Sequence, residues 1–213
     1  MTDWRAIKKH LVKNDKCLAH LIELYGQPTF LSPRSCEPNL FDQLISSIIS
    51  QQLSTKVART LKDRLYRLLG STEFVPSALV EIQVDALRSC GLSHAKSSSI
   101  QSIATILTNN PTYLSDLASK GDDEIIATLT QLKGVGIWTA QMFQMFALRR
   151  LDVFAPEDAG LMRGIRITYL PGNDVDPLAI ETITRRWAPY RSIGAWYMWQ
   201  VANAQPQIRG ADG

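Results

Sequence analysis

The amino-acid sequence predicts an all-α protein, and three observations support this prediction. In nearly every segment apolar residues recur every three or four positions, which is the spacing of one face of a helix. No run of alternating apolar and polar residues is long enough to supply several strands. Hydrophobic residues make up 45% of the 213 positions and the formal net charge is only +3, so we expect a buried core and exclude a disordered chain or a polycation.

Two helices are marked most clearly, between residues 41 and 70. The first ends near Ser50-Gln51-Gln52, and its apolar residues are Phe41, Leu44, Ile45, Ile48 and Ile49. The second begins after Ser54 as N-cap, ends at Gly70 and is basic on its outer face. The stripe of this second helix that we expect to face the core consists of Leu53, Val57, Leu61, Leu65 and Leu68.

Further helices are predicted wherever the apolar periodicity resumes between turn residues. They span residues 77–89, 93–109, 122–131, 136–150, 158–169, 177–187 and 192–204. The turn residues that separate or end them are Gly91, Asn110-Pro111, Gly121, Pro171-Gly172 and Pro206. No low-complexity linker or regular repeat interrupts the series, so any lobes must pack closely.

Several classes of protein are excluded by what the sequence lacks. The longest uninterrupted apolar run, residues 195–199, is far shorter than the ~20 residues that span a bilayer. The basic amino terminus is not followed by an apolar stretch, so we expect no secretory signal and an intracellular protein. The cysteines and histidines have no spacing typical of a disulfide framework, an iron–sulfur cluster or a metal site; they are Cys17, Cys36, Cys90, His10, His20 and His94.

The segment L-T-Q-L-K-G-V-G-I-W-T-A, residues 129–140, joins two of the predicted helices through a turn that contains glycine. Gly134 and Gly136 permit positive φ and leave main-chain N–H groups open, and the helix that follows offers further N–H groups and a positive dipole end. Such a turn can hold a phosphate and position nucleic acid without reading its sequence. The alternative is a plain αα-hairpin in which the glycines only tighten the turn.

The string L-x-G-V-G-x-x-T-A in this segment resembles the helix-hairpin-helix superfamily of DNA glycosylases. The stretch D-V-F-A-P-E-D, residues 152–158, resembles the family stretch that ends in its catalytic aspartate. Three more stretches resemble the 3-methyladenine DNA glycosylase II branch, namely I-I-S-Q-Q-L-S (48–54), G-L-S-H-A-K (91–96) and R-W-A-P-Y-R-S (186–192) with the tryptophans at 196 and 199. The resemblance extends from about residue 41 to residue 200.

The resemblance makes Asp158 the catalytic residue. Breaking an N-glycosidic bond develops positive charge on the sugar, and one fixed carboxylate can stabilise that charge. Judged by position alone, Asp158 would be only a helix N-cap. Glu157 and Asp152 are its local competitors, and the resemblance implies a structural role for Asp152.

Aromatic side chains are expected to hold the extruded base. The resemblance places Trp138 and Trp199 in the base pocket, and we add Met142 and Ala159 beside them, whereas Trp187 and Trp196 are expected in the core. Bifunctional relatives with lyase activity have a Schiff-base lysine where this sequence has Trp138, so we expect no lyase activity.

The remaining predicted contacts are with DNA. The turn at residues 51–53 resembles the family's wedge region, where a side chain fills the gap left by the extruded nucleotide, and Gln52 is our choice for that side chain, with Leu53 next. The other predicted DNA-binding residues are Ser54, Lys96, Lys133, Gly134, Val135, Gly136 and Thr139, and weaker phosphate candidates are Lys56, Ser97, Arg163 and Arg191. The resemblance also implies a structural Na⁺ or K⁺ at the hairpin, held by the main-chain carbonyls of Thr130, Leu132 and Val135.

The expected architecture has two helical lobes with the active-site cleft between them. Residues 40–148 form one lobe, which ends in the helix-hairpin-helix motif (122–148), and residues 1–39 with 149–213 form the second, which carries Asp158. The function implied is monofunctional hydrolysis of alkylated purines (3-methyladenine and 7-methylguanine) from double-stranded DNA, as the first step of base excision repair. We expect a monomer without a catalytic cofactor or a membrane partner, cytoplasmic if bacterial and nuclear if eukaryotic. The alternatives are a glycosylase of the same fold for deaminated or mismatched bases, and a noncatalytic DNA-binding protein.

Overall fold

The computed structural model describes residues 3–32, 38–172 and 176–204, and within these ranges it contains helices and turns but no strand, which confirms the all-α prediction. The α-helices of this part of the chain are α1 (Trp4–Asn14), α2 (Lys16–Tyr25), α3 (Leu40–Ser50), α4 (Thr55–Leu69), α5 (Pro76–Val80), α6 (Val84–Ser89), α7 (His94–Asn109), α8 (Asp122–Leu129), α9 (Ile137–Met142), α10 (Ala159–Tyr169), α11 (Pro177–Arg185) and α12 (Arg191–Ala204). Across the described ranges, every helix is too short or too polar to cross a membrane. Pro206 and Cys36, which the sequence analysis names, lie outside the described residues.

The chain forms two compact units. Residues 34–148 make up one, here called the hairpin unit, and residues 1–33 with 149–213 make up the other, here called the aspartate unit. The hairpin unit is therefore one continuous piece of chain, whereas the aspartate unit is assembled from both ends of the sequence.

The core of the hairpin unit is built around α3. The five apolar residues that predict this helix (Phe41, Leu44, Ile45, Ile48 and Ile49) are all buried. They pack in one cluster with apolar side chains from α4, α7, α8 and α9 and from residues 143–147, which follow α9. Removing each such side chain from water contributes about 1.5–3 kcal/mol, so this shared core fixes the helices that carry the hairpin.

Helix α4 has the predicted ends but not the predicted face. The Ser54 side chain accepts a hydrogen bond from the Val57 main-chain N–H, and Gly70 ends the helix in the left-handed conformation with φ 62°. The prediction that all five residues of the stripe face the core is wrong, because Leu53, Val57 and Leu68 are 36%, 45% and 42% exposed. The helix contacts the core along Ala58, Leu61 and Leu65, which leaves the other three residues at the margin of that contact.

Two other predicted helices are interrupted. Residues 77–89 form α5 and α6, separated at Glu81–Gln83 because Gln83 has extended backbone angles. Residues 136–150 begin as α9 and then widen into a π-helix (Phe143–Ala147). The π-turn buries the Gln144 side chain, whose Nε2 donates a hydrogen bond of 2.8 Å to the main-chain carbonyl of Asp122. A helical periodicity in the sequence does not distinguish the two kinds of helix.

The aspartate unit is held together by close packing of α10 against α12. A Cβ on Gly164 would lie 2.1 Å from the main-chain oxygen of Met198, so only glycine allows the two helices to approach this closely. Trp187 and Trp196 are buried, as predicted. The buried carboxylate of Asp15 accepts a hydrogen bond of 3.2 Å from the Trp187 indole, which satisfies both groups inside the core.

Candidate functional site

The predicted hairpin is present between α8 and α9. Thr130 follows the end of α8, and the main-chain N–H of Val135 donates a hydrogen bond of 3.0 Å to the carbonyl of Leu132. Gly134 has a φ of 80°, and Gly136 is the N-cap of α9 with extended backbone angles. Both glycines are exposed, so their main-chain atoms can be approached from solvent.

The two glycines of the hairpin have different surroundings. A Cβ on Gly134 would lie 2.3 Å from Oγ of Ser99 on α7, so this glycine is required by the packing of the hairpin as well as by its positive φ. A Cβ on Gly136 would meet no heavy atom within 4 Å. Beside them Lys133 is exposed, and its Nζ lies 2.8 Å from Oγ of Ser98. The surface around Gly136 is thus open, and a ligand can approach the main chain there.

Two residues of the hairpin that were predicted to bind DNA have buried side chains. Thr139 is 1% exposed and Val135 is 5% exposed, so neither side chain can reach DNA and the predicted contacts would be made by main-chain atoms. The Thr139 hydroxyl oxygen instead accepts a hydrogen bond of 2.8 Å from Nε2 of Gln51. The same Nε2 donates to the Gly134 carbonyl at 2.9 Å, a contact that the sequence analysis missed because nothing in residues 48–54 indicates what Gln51 faces.

The turn between α3 and α4 presents Gln52 to solvent in a strained conformation. The main-chain N–H of Leu53 donates to the carbonyl of Ser50 at 3.1 Å, Gln51 has φ −50° and ψ 127°, and Gln52 has φ 57°. These angles resemble a type II turn, in which glycine is preferred at the position that Gln52 occupies. A left-handed conformation costs a residue with a side chain about 1–2 kcal/mol. Strain of this size is typical of functional sites.

Lys96 and Ser97 make contacts inside the protein. The Nζ atom of Lys96 donates hydrogen bonds of 2.8 Å and 2.7 Å to the main-chain carbonyls of Ile49 and Gln51. Ser97 is buried and its hydroxyl donates to the carbonyl of Ser93. The Ser97 hydroxyl is therefore not available to a phosphate, whereas Lys96 uses two of its three N–H donors at the end of α3 and its phosphate contact stays a prediction.

Asp158 is the N-cap of α10 and also binds an aromatic side chain. Its Oδ1 accepts a hydrogen bond of 2.7 Å from the main-chain N–H of Leu161 and another of 2.9 Å from Nε1 of Trp199. Both Asp158 and Trp199 are half-buried. A Cβ on Gly160 would lie 3.2 Å from Asp158 Oδ1 and 3.2 Å from Cδ1 of Trp199, so a small residue is favoured there, a requirement that one sequence cannot reveal. The capping role and a chemical role for Asp158 are compatible.

Asp152, the local competitor of Asp158, is an ion-pair partner. Its two carboxylate oxygens accept hydrogen bonds of 2.7 Å and 2.9 Å from Nε and Nη2 of Arg191, and Oδ1 also accepts from the Arg191 main-chain N–H. This bidentate pair fixes the start of α12 to the loop before α10. Arg191 thus has a structural partner in Asp152, both side chains are partly exposed, and a phosphate contact of Arg191 stays a prediction.

The remaining residues predicted for the base pocket are divided between the units. Ala159, which is exposed, follows Asp158 in the aspartate unit. Trp138 and Met142 lie four positions apart on α9 in the hairpin unit; Trp138 is half-buried and Met142 is buried. Among the described residues, no group of three or more His, Cys, Asp or Glu side chains could hold a metal ion.

Comparison with known proteins assigns the chain to a family. Residues 45–189, which include the hairpin, the Gln52 turn and Asp158, match the model of the HhH-GPD superfamily base excision DNA repair proteins. The chain belongs to the HhH-GPD superfamily. The helix-hairpin-helix resemblance seen in residues 129–140 is thereby confirmed.

Individual members of the HhH-GPD superfamily are similar to this protein over most of its length. The alkylbase DNA glycosidase-like protein mag2 of Schizosaccharomyces pombe is 29% identical over 203 residues, which cover 94% of each protein. The S. pombe 3-methyladenine DNA glycosylase Mag1, solved in complex with abasic DNA, has a TM-score of 0.80 and 28% identity and covers 92% of this chain and 95% of its own. A DNA-3-methyladenine glycosidase of Bacillus halodurans has a TM-score of 0.72 and 33% identity, covering 92% and 88%.

Proposed function

We propose that this protein is a monofunctional DNA glycosylase that removes alkylated purines, 3-methyladenine foremost and 7-methylguanine, from double-stranded DNA. It acts as a monomer and leaves an abasic site, which begins base excision repair. The observation that carries the proposal is the Asp158 carboxylate, held by the Leu161 main-chain N–H and the Trp199 indole within a family of base excision proteins. The names of the similar proteins support alkylated bases as the substrate.

The chemistry assigned to Asp158 is electrostatic. As the bond between sugar and base stretches, positive charge develops on the sugar, and a fixed carboxylate stabilises that charge more in the transition state than in the ground state. Water then adds to the sugar. A purine alkylated on a ring nitrogen carries a positive charge and leaves as a neutral base, so one carboxylate is sufficient and no strong general acid is needed.

Aromatic rings hold the extruded base in this proposal. A cationic base is attracted to the faces of indole rings, and Trp199 is bonded to Asp158 through its edge. Ala159 next to Asp158 carries only a methyl group, and Trp138, which is half-buried on α9, stays a proposed contact of the base, whereas the Met142 side chain is buried. Because Trp138 occupies the position of the Schiff-base lysine of bifunctional relatives, hydrolysis leaves the DNA strand intact.

DNA binding is assigned to the hairpin and to the Gln52 turn. The exposed main chain of Gly134 and Gly136, which is open around Gly136, and the exposed Lys133 contact phosphates, while Gln52, with Leu53 beside it, fills the gap left by the base. The main-chain carbonyls of Thr130, Leu132 and Val135 would hold the hairpin Na⁺ or K⁺, because they are oxygen ligands of the kind that hard cations prefer. When bound, this cation would attract a phosphate oxygen and take no part in bond cleavage.

The test is release of free bases from DNA treated with a methylating agent. Wild type should release 3-methyladenine and 7-methylguanine with strands intact until alkali, and Asp158→Asn should lose at least about a hundredfold in rate. Asparagine is also a good N-cap, so folding and DNA binding should stay close to wild type. The matched control is Asp176→Asn, which alters the N-cap of α11 in the same unit and should release bases at the wild-type rate.

Two results would contradict the proposal. A near-normal rate for Asp158→Asn would move the catalytic role to another residue. No release by wild type, despite tight DNA binding, would exclude the alkylpurine activity. Duplexes with hypoxanthine or uracil would then separate a glycosylase for deaminated bases from a noncatalytic DNA-binding protein.

A further inference from the structure

The ammonium of Lys96, a partly buried residue of the hairpin unit, bonds the turn that joins α3 to α4. Its two acceptors, the carbonyls of Ile49 and Gln51, belong to the end of α3, where main-chain carbonyls lack partners within the helix. Burial lowers the pKa of the Lys96 ammonium below its ordinary value, because the charge loses contact with water. Lys96 is therefore directed into the protein.

Gln52, which directly follows the Gln51 carbonyl bound by Lys96, has a strained backbone. Gln52 has a φ of 57° and an exposed side chain, and a residue with a side chain persists in this conformation only where its surroundings determine it. The two hydrogen bonds from Lys96 fix the carbonyls of Ile49 and Gln51 on the approach to Gln52. They hold the main chain that leads into Gln52.

The same turn is joined to the hairpin. The Gln51 amide donates to the Gly134 carbonyl and to the Thr139 hydroxyl oxygen, so one side chain connects the turn to the first glycine of the hairpin and to α9. Lys96 binds the carbonyl of that same Gln51 residue. A continuous series of hydrogen bonds thus runs from Lys96 through Gln51 to the hairpin, within one unit.

We infer that Lys96 is a positioning residue for base extrusion, which holds Gln52 at a fixed place relative to the hairpin and does not itself bind phosphate. The inference rests on the proposed function. The hairpin fixes one phosphate and Gln52 enters the base stack. The distance between the hairpin and Gln52 must therefore match the distance in the DNA between that phosphate and the extruded base. Lys96 and Gln51 set this separation before DNA arrives.

The experiment compares two duplexes that differ only in whether the 7-methylguanine must break a base pair when it is extruded. One contains a single 7-methylguanine opposite cytosine, and in the other the same strand faces a tetrahydrofuran abasic site, so the base has no partner. In single turnovers with saturating enzyme, Lys96→Met should lose on the order of a hundredfold on the paired base. On the unpaired base it should lose less than about threefold, because little energy is needed to extrude it.

Two further lysine variants distinguish positioning from phosphate binding. Lys133→Met should weaken binding of both duplexes equally and lower the salt slope of DNA affinity by about one. Lys120→Met, which alters a surface ion pair with Glu124, should excise both bases at the wild-type rate. The inference is overturned if Lys96→Met slows both duplexes equally, or if it lowers the salt slope as Lys133→Met does.

A variant of Gln51 tests the same inference if Lys96→Met does not fold. Gln51→Met removes the amide that contacts the hairpin and leaves Lys96 in place, and it should show the same selective loss on the paired base. Equal losses on both duplexes would again overturn the inference. If wild type releases 7-methylguanine from neither duplex, the proposed function fails and the inference fails with it, which is a different result from release with equal losses.

Discussion

The indole Nε1 of Trp199 donates a hydrogen bond of 2.9 Å to Oδ1 of Asp158, the same oxygen that accepts from the main-chain N–H of Leu161 at 2.7 Å. Two donors from different helices therefore hold one oxygen of the carboxyl group. Because Asp158 is the N-cap of α10 and Trp199 lies within α12, the close packing of these two helices sets the orientation of the carboxylate. The packing of the aspartate unit is thus connected directly to its proposed chemistry.

Trp199→Phe should lower kcat for excision by up to about a hundredfold while KM changes little. The substitution keeps an aromatic face for the base but removes the N–H that holds Asp158. Trp199→Leu, which removes the ring as well, should both lower kcat and raise KM. Steady-state kinetics on methylated duplex DNA measures both constants, and an unchanged kcat in Trp199→Phe would show that the indole N–H does not orient the carboxylate.

Gln52→Gly should change the free energy of unfolding by less than about 1 kcal/mol, because relief of the left-handed strain is offset by the greater freedom of glycine in the unfolded chain. Excision from a fully paired duplex should nevertheless fall, since the side chain that fills the gap is lost. Urea denaturation and single-turnover excision check the two halves separately. Equal activity of Gln52→Gly and wild type would rule out Gln52 as the inserted residue and leave Leu53.

Gly134→Ala should destabilise the protein by about 1–3 kcal/mol, because alanine at a φ of 80° is strained and its Cβ would collide with Ser99. Gly136→Ala is the matched change, and it should fold with wild-type stability because its Cβ meets nothing. Its DNA affinity should fall, since the added methyl group obstructs the approach of a phosphate. Thermal denaturation and fluorescence anisotropy distinguish these results; wild-type affinity in Gly136→Ala would place the phosphate elsewhere.

Trp138→Lys should not create a lyase. A lysine that forms a Schiff base needs a lowered pKa and the correct distance from the sugar, and substitution at one position supplies neither. Reduction with borohydride in the presence of DNA containing 7-methylguanine should give no covalent complex with this variant or with wild type. Efficient trapping of the wild-type protein would contradict the monofunctional assignment.

Replacement of K⁺ by N-methylglucamine at constant ionic strength should weaken DNA binding severalfold. The organic cation is too large for the carbonyls of the hairpin, so the proposed attraction between the bound cation and a phosphate is lost, whereas general screening stays the same. Anisotropy titrations in the two salts measure the effect. Gly136→Ala, if it already excludes the phosphate, should respond less, and equal affinities for wild type in both salts would remove the cation from the proposal.

Local rules predicted much of the helical architecture. The caps of α4 at Ser54 and Gly70 and the start of α7 after Ser93 follow from side chains that bond their own neighbours, so the sequence is enough to find them. The break within residues 77–89 and the π-helix after α9 are accompanied by contacts with other segments, since Gln101 donates to the Ile82 carbonyl and Gln144 to the Asp122 carbonyl. Periodicity carries no information about such contacts.

Prediction of the candidate site had the same limit. Residues of the hairpin and Asp158 could be named because their motifs are short and local. The contacts of Lys96 with Ile49 and Gln51 join segments 45 or more residues apart, and a lysine near a predicted DNA surface suggests phosphate binding until its partners are known. The exposed Leu53 and Val57 show the converse, because a regular apolar stripe does not reveal how much of a helix contacts the core.

The division of the chain into one continuous and one discontinuous unit has a consequence for synthesis. Domains fold as units while the chain leaves the ribosome, so the hairpin unit has its whole sequence available once Leu148 has emerged. The aspartate unit must wait for α12, which packs against both α10 and α2. Helix α2, which precedes the hairpin unit in the chain, therefore meets α12 only after the whole hairpin unit has been synthesised.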